Sequence, residues 1–100
     1  MFWCKIFPTK HDLVVALCDE NLIDKEIKSK GLGMKIKISK SFYGDRLIDE
    51  TVALRVMKRA TIGNLMGEQI VALAEKNGFI IRKNVILIDG IPHAQFVKKI

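Results

Sequence analysis

The stretch Asn84-Val-Ile-Leu-Ile-Asp-Gly-Ile-Pro-His-Ala-Gln-Phe96 is the most informative part of the chain about its fold. Its apolar run, Val85–Ile88, is typical of a strand, and Asp89-Gly90 is a turn pair that ends such a run. A second strand is predicted over Ala94–Val97, so that the two strands form a pair around the Asp89–His93 turn. The stretch therefore predicts paired strands with polar side chains where one of them begins.

Upstream of this pair, the chain alternates between strand patterns and helix patterns. Strands are predicted at Phe2–Phe7 and Asp12–Cys18, and the short linker between them favours a hairpin. A helix with Asp19 as its N-cap is predicted to run to Lys30. The alternation of apolar and polar residues over Met34–Ser39 then predicts a half-buried strand.

The longest helical pattern runs from Glu50 to Asn77, with Asp49 as its predicted N-cap. Apolar residues recur there at steps of three and four, but the segment is longer than the usual helix of a small domain. We therefore predict either two helices or one bent helix, with the joint near residues 59–63.

These elements give the predicted order β-β-α-β-α-α-β-β, which is typical of the α+β class. Because the strands come in runs, we predict a mixed or antiparallel sheet of four to five strands, with two to three helices on one face. The 100 residues fit a single domain spanning residues 1–100. Hydrophobic residues make up 49% of the chain and charged residues 28%, which indicates a globular protein.

The chain has a formal net charge of +6, and most of the basic excess lies in its second half. Such an excess favours an anionic partner such as nucleic acid, although it also serves simply to keep a small protein soluble. No stretch approaches the roughly 18 apolar residues of a membrane span, and the N-terminus lacks the pattern of a signal peptide. We therefore expect a cytoplasmic protein without a membrane partner.

The cysteines and histidines of the chain are Cys4, Cys18, His11 and His93. They are too few and too widely spaced for a structural zinc site, so we predict no metal and no cofactor. Both cysteines lie in predicted strands, where we expect them to be buried, free and unreactive. A bridge between neighbouring strands is the alternative.

The turn before the last strand offers a candidate catalytic site. His93 titrates near neutrality and is a candidate general base or acid, with Asp89 to orient it. Asn64 or Gln95 would donate a hydrogen bond to an oxyanion. The alternative is a structural turn, in which Pro92 fixes the bend and His93 bonds to the backbone.

Aromatic and basic residues elsewhere in the chain favour RNA binding. Phe42 and Tyr43 are adjacent in a predicted loop, so at most one should point inward, and the other can stack on a base. The alternative is that Phe42 fills the core and Tyr43 covers a helix end. The remaining candidates would hold phosphates or bond to a base edge, and they are Lys40, Arg46, Arg55, Arg59, His93 and Gln95. For the arginines of the predicted helix, a solvated helix face is the alternative.

Gly63 and Gly67 lie four residues apart, on one face of the predicted helical segment. A glycine in a helix interior costs about 1 kcal/mol relative to alanine, so a compensating contact is expected at each position. We interpret the two glycines as sites where another backbone approaches closely. A helix N-terminus open to an anion is the alternative.

Four short motifs resemble, in the same order, a family of small archaeal proteins known as domain of unknown function four-two-four. The motifs are Val15-Ala-Leu-Cys-Asp19, Ser41-Phe-Tyr-Gly44, Ala60-Thr-Ile-Gly-Asn-Leu-Met-Gly-Glu68 and Gly90-Ile-Pro-His-Ala-Gln95. The resemblance covers nearly the whole chain, and it implies an archaeal, cytoplasmic protein of one domain but no activity. Asp24 departs from the pattern, because we expect glycine there in relatives. The motifs also include the turn and the aromatic pair, which favours one functional surface formed by both.

Three hypotheses about function follow. The favoured one is a non-enzymatic RNA-associated module linked to translation or RNA processing. The second is a small enzyme that uses His93 with Asp89. The third is a subunit that docks on a protein complex through an apolar patch, either Phe2-Trp3 or Phe79-Ile80-Ile81.

Overall fold

The computed structural model describes residues 1–29 and 33–98 of the chain. Its strands are β1 (Phe2–Pro8), β2 (Leu13–Asp19), β3 (Glu26–Ser29), β4 (Met34–Lys37), β5 (Arg46–Ile48), β6 (Ile62–Met66), β7 (Ile86–Ile88) and β8 (Ile91–Val97). Its helices are α1 (Lys40–Tyr43), α2 (Glu50–Arg59) and α3 (Glu68–Lys76), and short 3₁₀ turns lie at Glu20–Leu22 and Arg82–Asn84. None of the helices in these two ranges is long and apolar enough to cross a membrane.

Six of the strands form one sheet, in the order β5-β1-β2-β6-β8-β7. The pair β2–β6 is parallel, and the other four pairs are antiparallel. The strands β3 and β4 form a separate antiparallel hairpin. The α+β class and the mixed sheet are therefore confirmed, with more strands than the four to five predicted.

Alternate residues of each strand point to opposite faces of the sheet, so the fold has two cores. On one side, which we call the helical face, Val15, Leu17 and Leu65 pack beneath α2 and α3. On the other side, which we call the hairpin face, Ala16 and Cys18 pack against α1 and the β3–β4 hairpin. The two long helices thus share one face, as predicted, while the short α1 lies on the other.

The long segment with a helical pattern contains a central strand. Helix α2 ends at Arg59 and α3 begins at Glu68, so the prediction of two helices is confirmed, but the joint between them is β6. This strand lies between β2 and β8, where Leu65 is fully buried. Pairing on both sides satisfies the backbone of β6, and this outweighs the helical spacing of its apolar residues.

Gly63 and its neighbours explain the close contact that the sequence suggests. Gly63 lies in β6 opposite Phe96 of β8, and a Cβ atom at this position would overlap the Phe96 ring. A close approach is therefore present at Gly63, but the predicted approach of another backbone is wrong, because the neighbour is the aromatic side chain of Phe96 on an adjacent strand. The two glycines do not share a helix face, because Gly63 lies in β6 and Gly67 precedes α3.

The predicted helix from Asp19 to Lys30 is wrong. The 3₁₀ turn is followed by Asp24 with a φ of 65°, which lies in the left-handed region that favours glycine, and then by β3. This conformation gives a physical reason for the glycine expected there in relatives. The turn brings Ile27 into the core of the hairpin face, where it is almost completely buried. Lys30, the predicted end of the helix, lies outside the described residues.

Asp19 does cap a helix, but that helix is α3. Its carboxylate accepts hydrogen bonds from the backbone N–H groups of Gln69 at 2.9 Å and Ile70 at 2.8 Å. Gly67, which lies beside this carboxylate with a φ of 122°, donates its own N–H to the carbonyl oxygen of Pro92 at 2.8 Å. The ends of β2, β6 and β8 therefore meet at the N-terminus of α3 and fix the helix against the sheet.

Candidate nucleic-acid interface

The residues predicted to bind nucleic acid divide between the two faces of the sheet. Arg46, Arg55 and Arg59 line one cleft on the helical face. The other five lie on or beside the hairpin face, and they are Lys40, Phe42, Tyr43, His93 and Gln95. The structure therefore places the turn and the aromatic pair on one face and the arginines on the opposite face.

A cleft of about 390 Å³ opens between α2 and the helical face, and we call it the arginine cleft. It is lined by Ile6, Leu13, Val15, Arg46, Val52, Arg55, Val56 and Arg59. The aliphatic members are buried or half-buried, whereas the three arginines are exposed. The cleft thus combines an apolar floor with a rim of permanent positive charge.

The sequence of α2 explains two of these arginines. Ala53 and Met57 are fully buried and anchor the inner side of the helix against the sheet. Residues three or four positions apart lie on the same side of a helix, so Arg55 and Arg59 stand one turn apart. Val56 lies between them in the sequence and lines the cleft with them.

Arg46 reaches the cleft from the edge strand β5. It is paired with Cys4 of β1, so its side chain starts from the helical face. Burial raises the pKa of the Cys4 thiol, and the nearby positive charge of Arg46 partly offsets this increase. Three arginines from two separate elements are therefore brought to one cleft by the β1–β5 pairing and the packing of α2.

No side-chain carboxylate forms an ion pair with these arginines in residues 1–29 and 33–98. The ion pairs in those ranges use Glu20, Asp24 and Glu75, and all 11 Asp and Glu residues of the chain lie within them. The planar guanidinium group donates two parallel hydrogen bonds to phosphate or carboxylate oxygens. The cleft is therefore suited to an anionic partner that also has an apolar portion.

One row of side chains across the hairpin face of the sheet is polar at three of its four positions. Lys5, Ala16, Asn64 and Gln95 lie opposite one another on β1, β2, β6 and β8. The Tyr43 hydroxyl donates a hydrogen bond to Asn64 Oδ1 at 2.7 Å, and burial raises the pKa of Tyr43, so the hydroxyl stays a neutral donor. Tyr43 is therefore held in the interior, whereas Gln95 is exposed to solvent.

Of the two adjacent aromatic residues, only Phe42 is open to solvent. It is 39% exposed, against 6% for Tyr43, which confirms that at most one of the two points inward and reverses the alternative with Phe42 in the core. The Phe42 ring stacks on Phe7 with 5.5 Å between ring centroids, and Lys40 Nζ lies 5.2 Å from the centroid of the Trp3 ring. One aromatic ring with a cation nearby is thus presented on this face, from α1 and not from the predicted loop.

His93 and Asp89 have separate hydrogen-bond partners. His93 Nδ1 lies 2.9 Å from the carbonyl oxygen of Leu65, and because this oxygen only accepts, Nδ1 carries the proton. The Asp89 carboxylate accepts from the backbone N–H of Lys28 at 3.1 Å. Burial lowers the pKa of His93, so its imidazole is neutral at pH 7. The backbone bond of the structural-turn interpretation is therefore present, and Asp89 does not orient the imidazole. The predicted extent of the turn is wrong, because the turn is Asp89-Gly90 and both Pro92 and His93 lie inside β8, so Pro92 does not fix a bend.

The two cysteines are buried and free. Cys4 packs in the core of the helical face and Cys18 in that of the hairpin face, so a bridge between them is excluded. Burial raises the pKa of both thiols, that of Cys18 to about 12, which keeps them protonated and unreactive. The described ranges contain no group of three or more His, Cys, Asp or Glu residues that would hold a metal ion.

The apolar segments predicted as docking patches belong mostly to the core. Phe2 and Ile80 are buried, Trp3 and Phe79 are half-buried, and Ile81 is exposed. Strands β7 and β8, which follow these segments, also expose large apolar side chains, namely Ile86, Leu87 and Val97. Neither predicted segment therefore forms a continuous exposed patch.

Comparison with known proteins places the chain in a family. The family model described as Protein of unknown function (DUF424) matches residues 8–98. The chain belongs to this family. A crystal structure of an uncharacterized conserved protein from the archaeon Methanopyrus kandleri is similar over 99% of this chain and 95% of that chain, with a TM-score of 0.80 and 24% identity. This likeness shows a shared fold, and no curated protein matches the chain.

The four DUF424 motifs are joined to one another in the structure. Asp19, Gly67 and Pro92, which come from three of the motifs, meet at the N-terminus of α3. Tyr43, which belongs to the remaining motif, Ser41-Phe-Tyr-Gly44, donates a hydrogen bond to Asn64, and Asn64 belongs to the same motif as Gly67. These motif residues therefore hold the central strands, α1 and α3 together.

The apolar walls of the arginine cleft are not predicted from the sequence. Leu13, Val52 and Val56 have the spacing of core residues, and only their half-buried state in the fold shows that they line a cleft. One pattern in the sequence could have indicated them: Val52 and Val56 are four residues apart along α2, as are Arg55 and Arg59, so each pair lies along one side of the helix.

Proposed function

We propose that the protein is a non-enzymatic RNA-binding module that contacts the phosphates of single-stranded RNA through the arginine cleft. The observation that carries this proposal is the convergence of three of the four arginines on one cleft, without an ion pair in the described ranges. Because no Asp or Glu side chain pairs with these guanidinium groups in the part of the chain that the structure describes, their charge is available to a partner. Their placement on exposed positions of β5 and α2 keeps them accessible.

Arginine is well suited to phosphate groups. Its guanidinium stays charged at any physiological pH and binds two phosphate oxygens at once. Each phosphate that is neutralised releases counterions, so that binding to single-stranded nucleic acid weakens with salt by a logarithmic slope of about 0.7 per contact. The net charge of +6 adds a long-range attraction for the same partner.

The hairpin face supports the proposal with a second group of residues. Phe42 exposes an aromatic ring, Lys40 of the same helix places its ammonium group over the neighbouring Trp3 ring, and Gln95 exposes an amide on the same face. The two surfaces adjoin across β1, because Ile6 lines the arginine cleft on one face and Phe7 stacks with Phe42 on the other. Because β5 pairs with residues 2–4 of β1, an RNA strand that passes around residues 5–8 of β1 would contact both surfaces.

The triple variant Arg46→Gln, Arg55→Gln and Arg59→Gln is expected to bind a labelled single-stranded RNA about 10- to 100-fold more weakly at physiological salt. The slope of the logarithm of the association constant against the logarithm of salt concentration should fall by roughly 1.4 to 2, because two to three phosphate contacts are lost. Fluorescence anisotropy over a salt series measures both quantities. A labelled transfer RNA in parallel shows whether structured RNA binds in the same way.

The matched control replaces three exposed lysines outside the cleft. The variant Lys25→Gln, Lys35→Gln and Lys76→Gln removes the same charge as the arginine variant. We expect it to lose only a few-fold in affinity, through the long-range field alone. Equal losses in the two triple variants would contradict a specific role for the arginine cleft.

The double variant Phe42→Ala and Gln95→Ala is expected to lower RNA affinity about 5- to 150-fold, because stacking of a base on an aromatic ring contributes about 1–3 kcal/mol. The salt slope should stay unchanged, since neither side chain is charged. The control is Ile81→Ala, which removes another exposed apolar side chain far along the sequence. Binding that is as tight as that of the native protein would exclude the hairpin face from the interface.

A further inference from the structure

We infer that the arginine cleft holds one unstacked nucleotide of the bound RNA, with the base on the aliphatic floor and the two flanking phosphates on the arginines. This inference rests on the proposed function of the same cleft. It adds that the cleft takes the base itself and not the phosphate backbone alone.

The floor of the cleft is the first argument. A surface that binds phosphates alone needs charge and has no use for exposed aliphatic groups. Ile6, Leu13, Val52 and Val56 are only half-buried, so they still present apolar surface to water. A flat base that covers this surface is favoured in proportion to the apolar area removed from water.

The size of the cleft is the second argument. Sites for small molecules in proteins have volumes of about 300–1,000 Å³. The arginine cleft, at about 390 Å³, is at the lower end of this range, which is suited to a single base and its sugar. It is bounded by β1 and β2 on one side and by α2 on the other, so a planar group can enter edge-on between sheet and helix.

The number of charges is the third argument. A nucleotide within an RNA chain is flanked by two phosphates, one on each side of its sugar, and each carries one negative charge. Arg46 on β5 and Arg55 and Arg59 on α2 stand on separate elements around the cleft, so they can contact both phosphates. An amphiphile whose head group carries a single negative charge would leave two of the three guanidinium charges without a partner.

The chemistry of the floor also determines the expected selectivity. Its side chains are aliphatic and carry no donor or acceptor that could bond to a base edge. We therefore expect the cleft to accept different bases with similar affinity. Discrimination should depend on the size of the base, with a modest difference between purines and pyrimidines.

The first test uses the Phe42→Ala and Gln95→Ala variant, in which the hairpin face no longer offers an aromatic ring to a base, and three polyanions. A uridine decamer is compared with the same ribose-phosphate decamer without bases and with inorganic polyphosphate of similar length. We expect the decamer with bases to bind about 10-fold more tightly than either of the others, because removal of roughly 60 Å² of apolar surface from water corresponds to about this factor. Equal affinity for the three polyanions would overturn the inference.

The second test fills the cleft without removing its charge. The variant Val56→Trp is expected to bind the uridine decamer about 10-fold more weakly, because the indole fills the volume that the base would occupy, and to bind polyphosphate as tightly as the native protein does. The control is Thr51→Trp, which adds the same side chain at an exposed position of α2 that does not line the cleft, and which should bind as the native protein does. A Val56→Trp variant that keeps full affinity for the decamer would contradict a base in the cleft.

The two proposals fail in different ways. If the triple arginine variant loses RNA but the Phe42→Ala and Gln95→Ala variant does not prefer bases to polyphosphate, the cleft binds phosphates alone and only the inference is overturned. If the triple arginine variant keeps its RNA affinity, both proposals are overturned. A single-chain amphiphile such as dodecyl phosphate that binds the native protein more tightly than the decamer, and loses this affinity in Val56→Trp, would assign the floor to an acyl chain and would also overturn the inference.

Discussion

The variant Asp19→Ala is expected to lower the free energy of unfolding by about 2–4 kcal/mol. Asp19 is only 5% exposed, and its carboxylate accepts from the backbone N–H groups of Gln69 and Ile70. Alanine leaves both donors without an acceptor at the N-terminus of α3, and each buried unsatisfied donor costs about 1–3 kcal/mol. Urea denaturation followed by circular dichroism measures the loss.

The cap of α2 provides the matched control for this variant. Asp49 accepts from the N–H of Val52 at 2.9 Å, in an exposed position where water can replace the side chain. We expect Asp49→Ala to cost about 1 kcal/mol. A similar loss in both variants would show that burial adds nothing to the cap at Asp19.

The contribution of Asp19 is also expected to depend on pH. Burial raises the pKa of its carboxyl group, and the two backbone N–H groups lower it only in part. Because the folded pKa lies above the unfolded one, this contribution to stability is fully present below the unfolded value of about 4 and is lost as the pH rises through the folded pKa. The stability of the native protein relative to Asp19→Asn should therefore decrease from about pH 4 towards neutral pH. An increase over this interval would contradict the dominance of burial.

The variant Gly67→Ala is expected to lower the free energy of unfolding by about 3 kcal/mol or more. Gly67 has a φ of 122° and a ψ of 153°, a conformation that is almost restricted to glycine and costs other residues about 1–3 kcal/mol. A Cβ atom would also lie 2.6 Å from Asp19 Oδ2, so the carboxylate would have to leave the N–H groups of α3. Thermal and urea unfolding both report this change.

Gly78→Ala separates the two causes of that effect. Gly78 has a φ of 80°, but a Cβ atom there would meet no atom within 4 Å. Only backbone strain applies, and we expect a cost of about 1 kcal/mol. In addition, the double variant Asp19→Ala and Gly67→Ala should cost less than the sum of the single variants, because the overlap with the carboxyl group disappears and only the contact with Cβ of residue 19, at 2.8 Å, remains. Strict additivity would argue against the contact between the two residues.

Elements whose signals are local were predicted correctly. β1, β2 and the β7–β8 pair follow from short apolar runs bounded by turn residues, and the cap of α2 follows from Asp49 itself. These patterns depend on residues that are close in sequence, so the local chain contains the physical cause. The two long helices on the helical face are also predicted from local residues, because their apolar side chains recur at helical spacing along the sequence.

Elements whose cause is distant were not predicted. β6 has apolar residues at helical spacing, and it becomes a strand because β2 and β8 pair with it on both sides. The segment after Asp19 has the composition of a helix, but Asp24 turns the chain and β4 pairs with β3. β6 pairs with strands that are distant in sequence, whereas β3 pairs with the next strand along the chain, and in both cases strand pairing outweighs the local helical preference.

The candidate interface divides in the same way. Its chemical groups can be chosen from the sequence, because the charge of Arg46 or the aromatic ring of Phe42 belongs to the residue and does not depend on the fold. Their grouping is a property of the tertiary structure. β5 and α2 bring three arginines to one cleft on the helical face, while α1 and β8 place Phe42 and Gln95 on the opposite face. Long-range strand pairing and the alternation of side chains across the sheet decide this arrangement, since neither can be determined from neighbouring residues alone.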